Sequence, residues 1–243
     1  MGSGTLSWMP VKTGIVVQMR LDSSRLPRKA LLPLGSGTLA SVVMKRLRTL
    51  QADEYVLACD TGSAAILGDI ASPLGFKVFA GSRDDVLDRY IKAAEQFGLD
   101  RLIRATGDNP LVSTELADKL VASIEALERA SGAPVDYAGH VGMPIGMGVE
   151  LVRLSALRTA SEKSIDPYDH EHVCPYLYHN PAAFRLELLD CPGGYGLAEV
   201  RLTVDTLEDY RMMQTIFATL GPDPSDAEVM KYLRATRPGS TDV

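Results

Sequence analysis

Cysteine is scarce in this chain. Cys59, Cys174 and Cys191 are the only three among 243 residues, with no C-x-x-C pair and no even set from which a disulfide framework could be built. That excludes a disulfide-stapled secreted module and predicts reduced thiols in a cytoplasmic protein. Long apolar runs are absent too: none approaches the length needed to span a bilayer, so no membrane partner is expected. The opening MGSGTLSWMPVK lacks the uninterrupted apolar core of a signal peptide, and Leu6 stands where a myristoylation pattern wants Ser or Thr. Residues 1–12 are therefore expected to be a disordered start. Basic charge is in deficit, with a formal net charge of −6, which argues against a duplex nucleic-acid partner because phosphate contacts need a concentrated basic face. Two nucleotide motifs are also missing. Gly35-Ser36-Gly37-Thr38 is not followed by Gly-Lys-Ser/Thr, and no G-x-G-x-x-G follows the first apolar segment. A P-loop or a nicotinamide site is disfavoured accordingly.

What is present alternates. Short β-branched runs separate segments of helical period, the pattern of βαβ units around a mainly parallel sheet. Strands are predicted at 14–18, 55–59, 77–80 and 102–105. The intervening helices carry the apolar stripes Leu39, Val42, Val43, Leu47, Leu50 and Val86, Leu87, Tyr90, Ile91, Ala94. Ser113 or Thr114 caps a further helix with Leu116, Leu120, Val121, Ile124 and Leu127 on one face. Residues 135–191 are less regular, with strands expected at 149–152 and 184–189. A βα unit then returns, with a strand at 201–204, a helix from about Thr206 that stops at Gly221-Pro222, and a last helix opened by the Ser225/Glu228 capping box. No repeat or linker is visible. The expectation is a three-layer α/β Rossmann-like domain over 13–243, with an irregular insertion at about 135–191.

Three polar features fall at predicted strand ends, where ligands sit in open α/β sheets. One is the basic loop with Arg20, Arg25, Arg28 and Lys29. The others are Asp108, in Thr106-Gly107-Asp108-Asn109-Pro110, and Asp205. Two carboxylates facing one crevice suit a hard cation such as Mg²⁺ beside phosphate oxygens. The same residues also suit simpler roles, a solvated loop, a turn former and a helix cap. Asp169-His170-Glu171-His172 has an H-x-H spacing suited to a strand, but no third zinc ligand accompanies it. With Tyr168, Tyr176 and Tyr178 nearby, it fits an interface or a substrate pocket better.

These residues resemble a known family. Residues 17–29, reading Val-Gln-Met-Arg-Leu-Asp-Ser-Ser-Arg-Leu-Pro-Arg-Lys, resemble the nucleotide-binding signature of the cytidylyltransferases. That family includes the CMP-3-deoxy-manno-octulosonate and CMP-acylneuraminate synthetases. Further blocks at 81–90, 104–111, 171–178 and 201–206 complete the pattern, and the last three most resemble the branch called spore-coat polysaccharide biosynthesis protein F. The resemblance implies a glycosyltransferase-A-like nucleotidyltransferase, usually dimeric, that joins CTP to a small acidic acceptor. It implies that Arg20 and Lys29 grip the phosphates, with Ser24 and Arg25 shaping the loop. Gln18, Met19, Ser82 and Arg83 would border the cytosine, and Arg104 joins the nucleotide-binding set. Asp108 and Asp205 would hold Mg²⁺, while Glu150, His170, Glu171 and His172 would line the acceptor pocket and subunit interface. Lys29, Arg20 and Asp108 are the implied catalytic residues. The chain departs from the pattern at Arg28, where the family has Gly, and at His170 and Cys174, where it commonly has Arg and Thr. An Arg at position 28 enters left-handed backbone angles less freely than Gly, so the loop is expected to sit differently or Arg28 to add a phosphate contact. The rival readings are a glycosyltransferase that uses a nucleotide-sugar donor, and a non-catalytic nucleotide-binding homologue.

Overall fold

The computed structural model describes residues 11–236. Strand β1 (Thr13–Met19) lies inside the sheet, and its side chains alternate between two separate cores. Ile15, Val17 and Met19 face one apolar cluster and Val16 faces the other. This is the period-2 consequence of a pleated strand covered on both sides. The seven-stranded sheet runs β5 (Lys77–Gly81), β4 (Glu54–Asp60), β1, β6 (Arg101–Thr106), β8 (Glu150–Arg153), β7 (Tyr137–Val141), β9 (Leu186–Asp190). The first four strands are mutually parallel, β8 is antiparallel to both neighbours, and β7 pairs parallel with β9. Gln18 of β1 is in register with Ala58 of β4 and Thr106 of β6, so three strand ends come level.

Helices α1 (Leu39–Leu47), α2 (Ala64–Ala71) and α4 (Thr114–Ser131) cover one face through residues such as Val43, Leu47, Leu67, Leu120 and Ile124. On the other face lie α3 (Val86–Phe97), α5 (Leu154–Lys163), α6 (Pro167–His172) and α7 (Pro175–His179), with Leu87, Tyr90, Leu157, Val173 and Leu177 buried. A third cluster joins α8 (Leu207–Leu220) and α9 (Asp226–Ala235) to Leu34, Leu39 and Val42. The C-terminal end thereby packs beside the two-residue strands β2 (Pro33–Leu34) and β3 (Gly37–Thr38), and Tyr210 donates its hydroxyl to the Pro33 carbonyl at 2.6 Å.

The capping chemistry follows the expected residues. Ser113 accepts from Leu116 N at the start of α4, and Ser225 with Glu228 closes a capping box on α9. Gly221, at φ 97°, ends α8. Two expectations are corrected. Residues 201–204 form no strand; only Arg201 makes a bridge, to Ile145, because Val204 N is taken by the Asp108 carbonyl at 2.8 Å. The His170–His172 segment is helical rather than extended, because Asp166 caps it and Pro167 fits its first turn. Helix α2 and strand β7 carry no periodicity strong enough to have been assigned. Of the expected disordered start, residues 1–10 lie outside the described residues, while Lys12 donates its backbone N–H to Asp100 and its ammonium to Glu54. Among the described residues no helix is long and apolar enough to cross a membrane.

Candidate active site

Beyond the level ends of β1 and β6 opens a crevice of about 400 Å³. Its lining includes six cationic side chains, Arg20, Arg25, Lys29, Arg89, Arg104 and Arg201, against three carboxylates, Asp108, Glu171 and Asp205. An acidic chain has thus gathered positive charge at one place, which makes the crevice an anion site.

Lys29 is its centre. Its ammonium donates to Asp108 Oδ2 at 3.1 Å, Asp205 Oδ1 at 2.9 Å and the Val204 carbonyl at 2.7 Å. Lys29 reaches that point because the loop after β1 doubles back: Arg28 N–H donates to the Leu21 carbonyl at 3.0 Å, and a single 3₁₀ turn begins at Lys29. The reversal requires a left-handed residue, and Arg28 supplies it with φ 56° and ψ 28°. Arginine therefore occupies the conformation that glycine holds at lower cost. Its position lies along a separate shallow groove with Leu21, Asp22, Pro27 and Ile66, outside the crevice lining.

Asp205 does not cap α8. Thr206 does that, accepting from Asp209 N, and the Asp205 carboxylate instead meets Lys29, Arg25 at 3.0 Å and Arg201. Burial disfavours its ionised form, yet these three cations together hold its carboxyl below the usual range. Asp108, likewise, spends its side chain on Lys29. Two carboxylates therefore converge on one ammonium, and among the described residues no group of three or more acidic, histidine or cysteine side chains gathers to hold a metal, so any cation bound by Asp108 and Asp205 would need phosphate oxygens and water for its other ligands.

A second observation marks the crevice. Among the described residues, the buried side-chain polar atoms without a hydrogen-bond partner are Gln18 Oε1, Arg89 Nε, Arg104 Nε, Asn109 Oδ1 and Thr203 Oγ1. All five residues line this crevice. Orphaned polar groups are costly and rare in folded proteins, so their concentration at one place points to a ligand that completes them. By contrast, the larger groove of about 570 Å³ between α1, α4 and α9 contains an arginine already satisfied. Arg46 there donates to the Val112 and Pro224 carbonyls, Asp223 and Asp226.

The structure brings Gln18, Met19, Arg20, Ser24, Arg25, Lys29, Arg104, Asp108, Glu171, His172 and Asp205 to the crevice. Ser82, Arg83, Glu150 and His170 stand outside its lining. Ser82 closes the turn into α3, accepting from Asp85 N at 3.0 Å, and Arg83 reaches Asp22 at the surface. Glu150 neutralises Arg104 and accepts the Tyr137 hydroxyl at 2.8 Å. His170 turns to Asp85 and the Ser164 carbonyl. Arg89, Asn109, Arg201 and Thr203 line the crevice without having been singled out. Arg89 is 1% exposed within the apolar face of α3; it donates to the Ser82 carbonyl at 2.7 Å and forms no ion pair among the described residues. An arginine set among Val86, Leu87 and Tyr90 was the available signal.

Comparison with known proteins adds an independent line. The model of the cytidylyltransferase family matches residues 14–236. The chain is 33% identical over 236 residues to the spore coat polysaccharide biosynthesis protein SpsF of Bacillus subtilis (strain 168), spanning 93% of this chain and 96% of that protein. A solved cytidylyltransferase from Leptospira borgpetersenii serovar Hardjo-bovis (strain JB197) superposes with a TM-score of 0.84 at 28% identity, covering 93% of this chain and 95% of that one. A CMP:2-keto-3-deoxy-manno-octonic acid synthetase complexed with CTP shares the fold, with a TM-score of 0.63 at 18% identity over 86% of this chain and 99% of that one.

Proposed function

The chain belongs to the cytidylyltransferase family of CTP-dependent nucleotidyltransferases, and we propose that it transfers CMP from CTP to an acidic small-molecule acceptor and releases pyrophosphate. The acceptor is a sugar acid, a phosphate or a phosphonate. One observation carries the reading: Lys29, Asp108 and Asp205 converge in a crevice that gathers six cationic side chains and all five orphaned polar atoms.

In this reading an acceptor oxygen forms a bond to the α-phosphorus while the bond to the bridging oxygen of pyrophosphate breaks in line with it. Such transfers need positioning and charge neutralisation more than covalent help from the protein. Arg20, Arg25 and Lys29 bind the triphosphate, and Arg20 and Lys29 offset the charge that grows on the departing pyrophosphate. Gln18 and Met19 border the base. Glu171 and His172 face the acceptor. An acceptor already ionised at neutral pH needs no general base. Asp108 and Asp205 would hold Mg²⁺, which when bound supplies Lewis acidity to a phosphate oxygen.

In this reading the product feeds polysaccharide assembly, which the likeness to SpsF supports, and the reaction is cytoplasmic. We further propose a single domain over 13–243 that works as a homodimer through the 135–191 region. Ile165 at 98% exposure, Leu188 at 56% and Tyr168 at 54% offer apolar surface there. The deciding experiment follows pyrophosphate release from each of four nucleoside triphosphates with Mg²⁺ and a mixture of acidic acceptors. CTP alone is expected to be consumed, and Asp108→Ala is expected to abolish release. Full release by Asp108→Ala at low Mg²⁺ would sink the mechanism, and preference for a nucleotide-sugar donor would reassign the chain.

A further inference from the structure

Beside the crevice, one imidazole has both nitrogens committed to acceptors. His170 Nδ1 lies 2.8 Å from Asp85 Oδ2, and Nε2 lies 3.1 Å from the Ser164 carbonyl oxygen. A carboxylate and a carbonyl only accept, so both bonds exist together only when both ring nitrogens carry protons. The charged groups acting on the ring are Asp85, from α3, and Asp169, from its own helix. Burial works against the imidazolium, but the bonds to Ser164 and Asp85 and the two carboxylates outweigh it, and the ring titrates above its ordinary 6.5.

Its two partners lie on neighbouring helices, Asp85 at the start of α3 and Ser164 at the end of α5. Asp85 is the N-cap of α3, accepting from Asp88 N at 2.8 Å, and α3 sends Val86 and Arg89 into the lining. Helix α6 sends Glu171 and His172 into the same lining, where Arg20 donates to Glu171 at 3.1 Å. Ser164, at the end of α5, also bonds Asp169 through its hydroxyl. Helix α6 spans six residues and ends at Val173, a buried β-branched residue at φ 76° and ψ −55°. Such a conformation persists only where surrounding contacts hold it, so the placement of this wall depends on ties from outside the helix.

We propose that His170, as an imidazolium, is a positioning residue that ties the α6 wall of the crevice to the α3 wall, and that nucleotide affinity falls as this proton is lost. The proposal rests on the crevice being the CTP site. A histidine whose pKa is raised in the folded state contributes fully below the unfolded value and loses its contribution as pH climbs through the folded one. The tie is therefore complete below about pH 6.5 and is released only as pH climbs through the higher value the ring holds in the folded protein.

The test is calorimetric titration of CTP with Mg²⁺ into the full chain, from about pH 6 to about pH 8.5, for the wild type, His170→Arg and His170→Gln. Arginine keeps both charge and donors throughout, so the wild-type to His170→Arg affinity ratio cancels the titration of CTP and of every other group. That ratio is expected to fall about fivefold across the range, the scale of one partly exposed ion pair, with His170→Gln weaker than His170→Arg at every pH. A flat ratio with all three proteins binding CTP overturns the tie. A wild type that binds no CTP at any pH overturns the functional reading instead. Imidazole NMR of the wild type needs no variant: a His170 pKa at or below about 6.5 also overturns the tie.

Discussion

Asp108 and Asp205 are joined through a single ammonium, Lys29 Nζ standing 3.1 Å from one carboxylate and 2.9 Å from the other. The residues lie far apart in sequence and meet beyond the end of β6, in the middle of the sheet. Asp108 follows β6, and Asp205 is drawn beside it by the bond from Val204 N to the Asp108 carbonyl. The Lys29 ammonium occupies the point on which the two carboxylates converge.

Replacing Lys29 by Met removes that cation and leaves two carboxylates facing the triphosphate. CTP affinity is expected to fall by roughly tenfold to a hundredfold, read by calorimetric titration, since charge-assisted contacts to phosphate are lost and repulsion is added. Unchanged affinity would remove Lys29 from the nucleotide site.

Arg28→Gly should stabilise the protein. The left-handed conformation at φ 56° costs a non-glycine residue about 1 kcal/mol. Its relief should raise the melting temperature by roughly 2–4 °C in a chain of this size, less the entropy glycine gains when unfolded. CTP binding should persist, because Arg28 lies outside the crevice lining. Arg28→Val, β-branched in the same conformation, should lower the melting temperature.

Glu150→Ala should be among the most damaging changes. It strips the partner from Arg104, whose side chain is 11% exposed, and leaves the Tyr137 hydroxyl without its acceptor. Uncompensated buried charge costs about 3 kcal/mol, or roughly 6–12 °C of melting temperature. The double replacement of Arg104 and Glu150 by Met should recover part of that loss. No recovery would mean the pair matters by shape rather than by charge.

Acid sensitivity should trace partly to Asp205. Its carboxyl is held below the ordinary aspartate value of 3.8, so its contribution is present above that value and lost as pH falls through the lower folded one. Melting curves taken below about pH 4 should therefore drop less steeply for Asp205→Asn than for the wild type. Parallel curves would show that its three cations do not stabilise the ionised form.

Local signals in the sequence determined much of this protein. The strand at β1, the stripes of α1, α3 and α4, and the caps at Ser113 and Ser225 were all legible, because period, propensity and capping act over one or two turns of chain. The basic loop of Arg20, Arg25 and Lys29 and the positions of Asp108 and Asp205 were legible as motif blocks. Tertiary structure decided the rest. It made Asp205 a partner of Lys29 rather than a cap, set Glu150 to neutralising Arg104, turned His170 toward Asp85, and placed the buried Arg89 in the crevice lining with its guanidinium held by the Ser82 carbonyl. Those roles depend on which distant group lies within about 3 Å of a side chain, and electrostatic contacts of that range are fixed by packing rather than by neighbours in sequence.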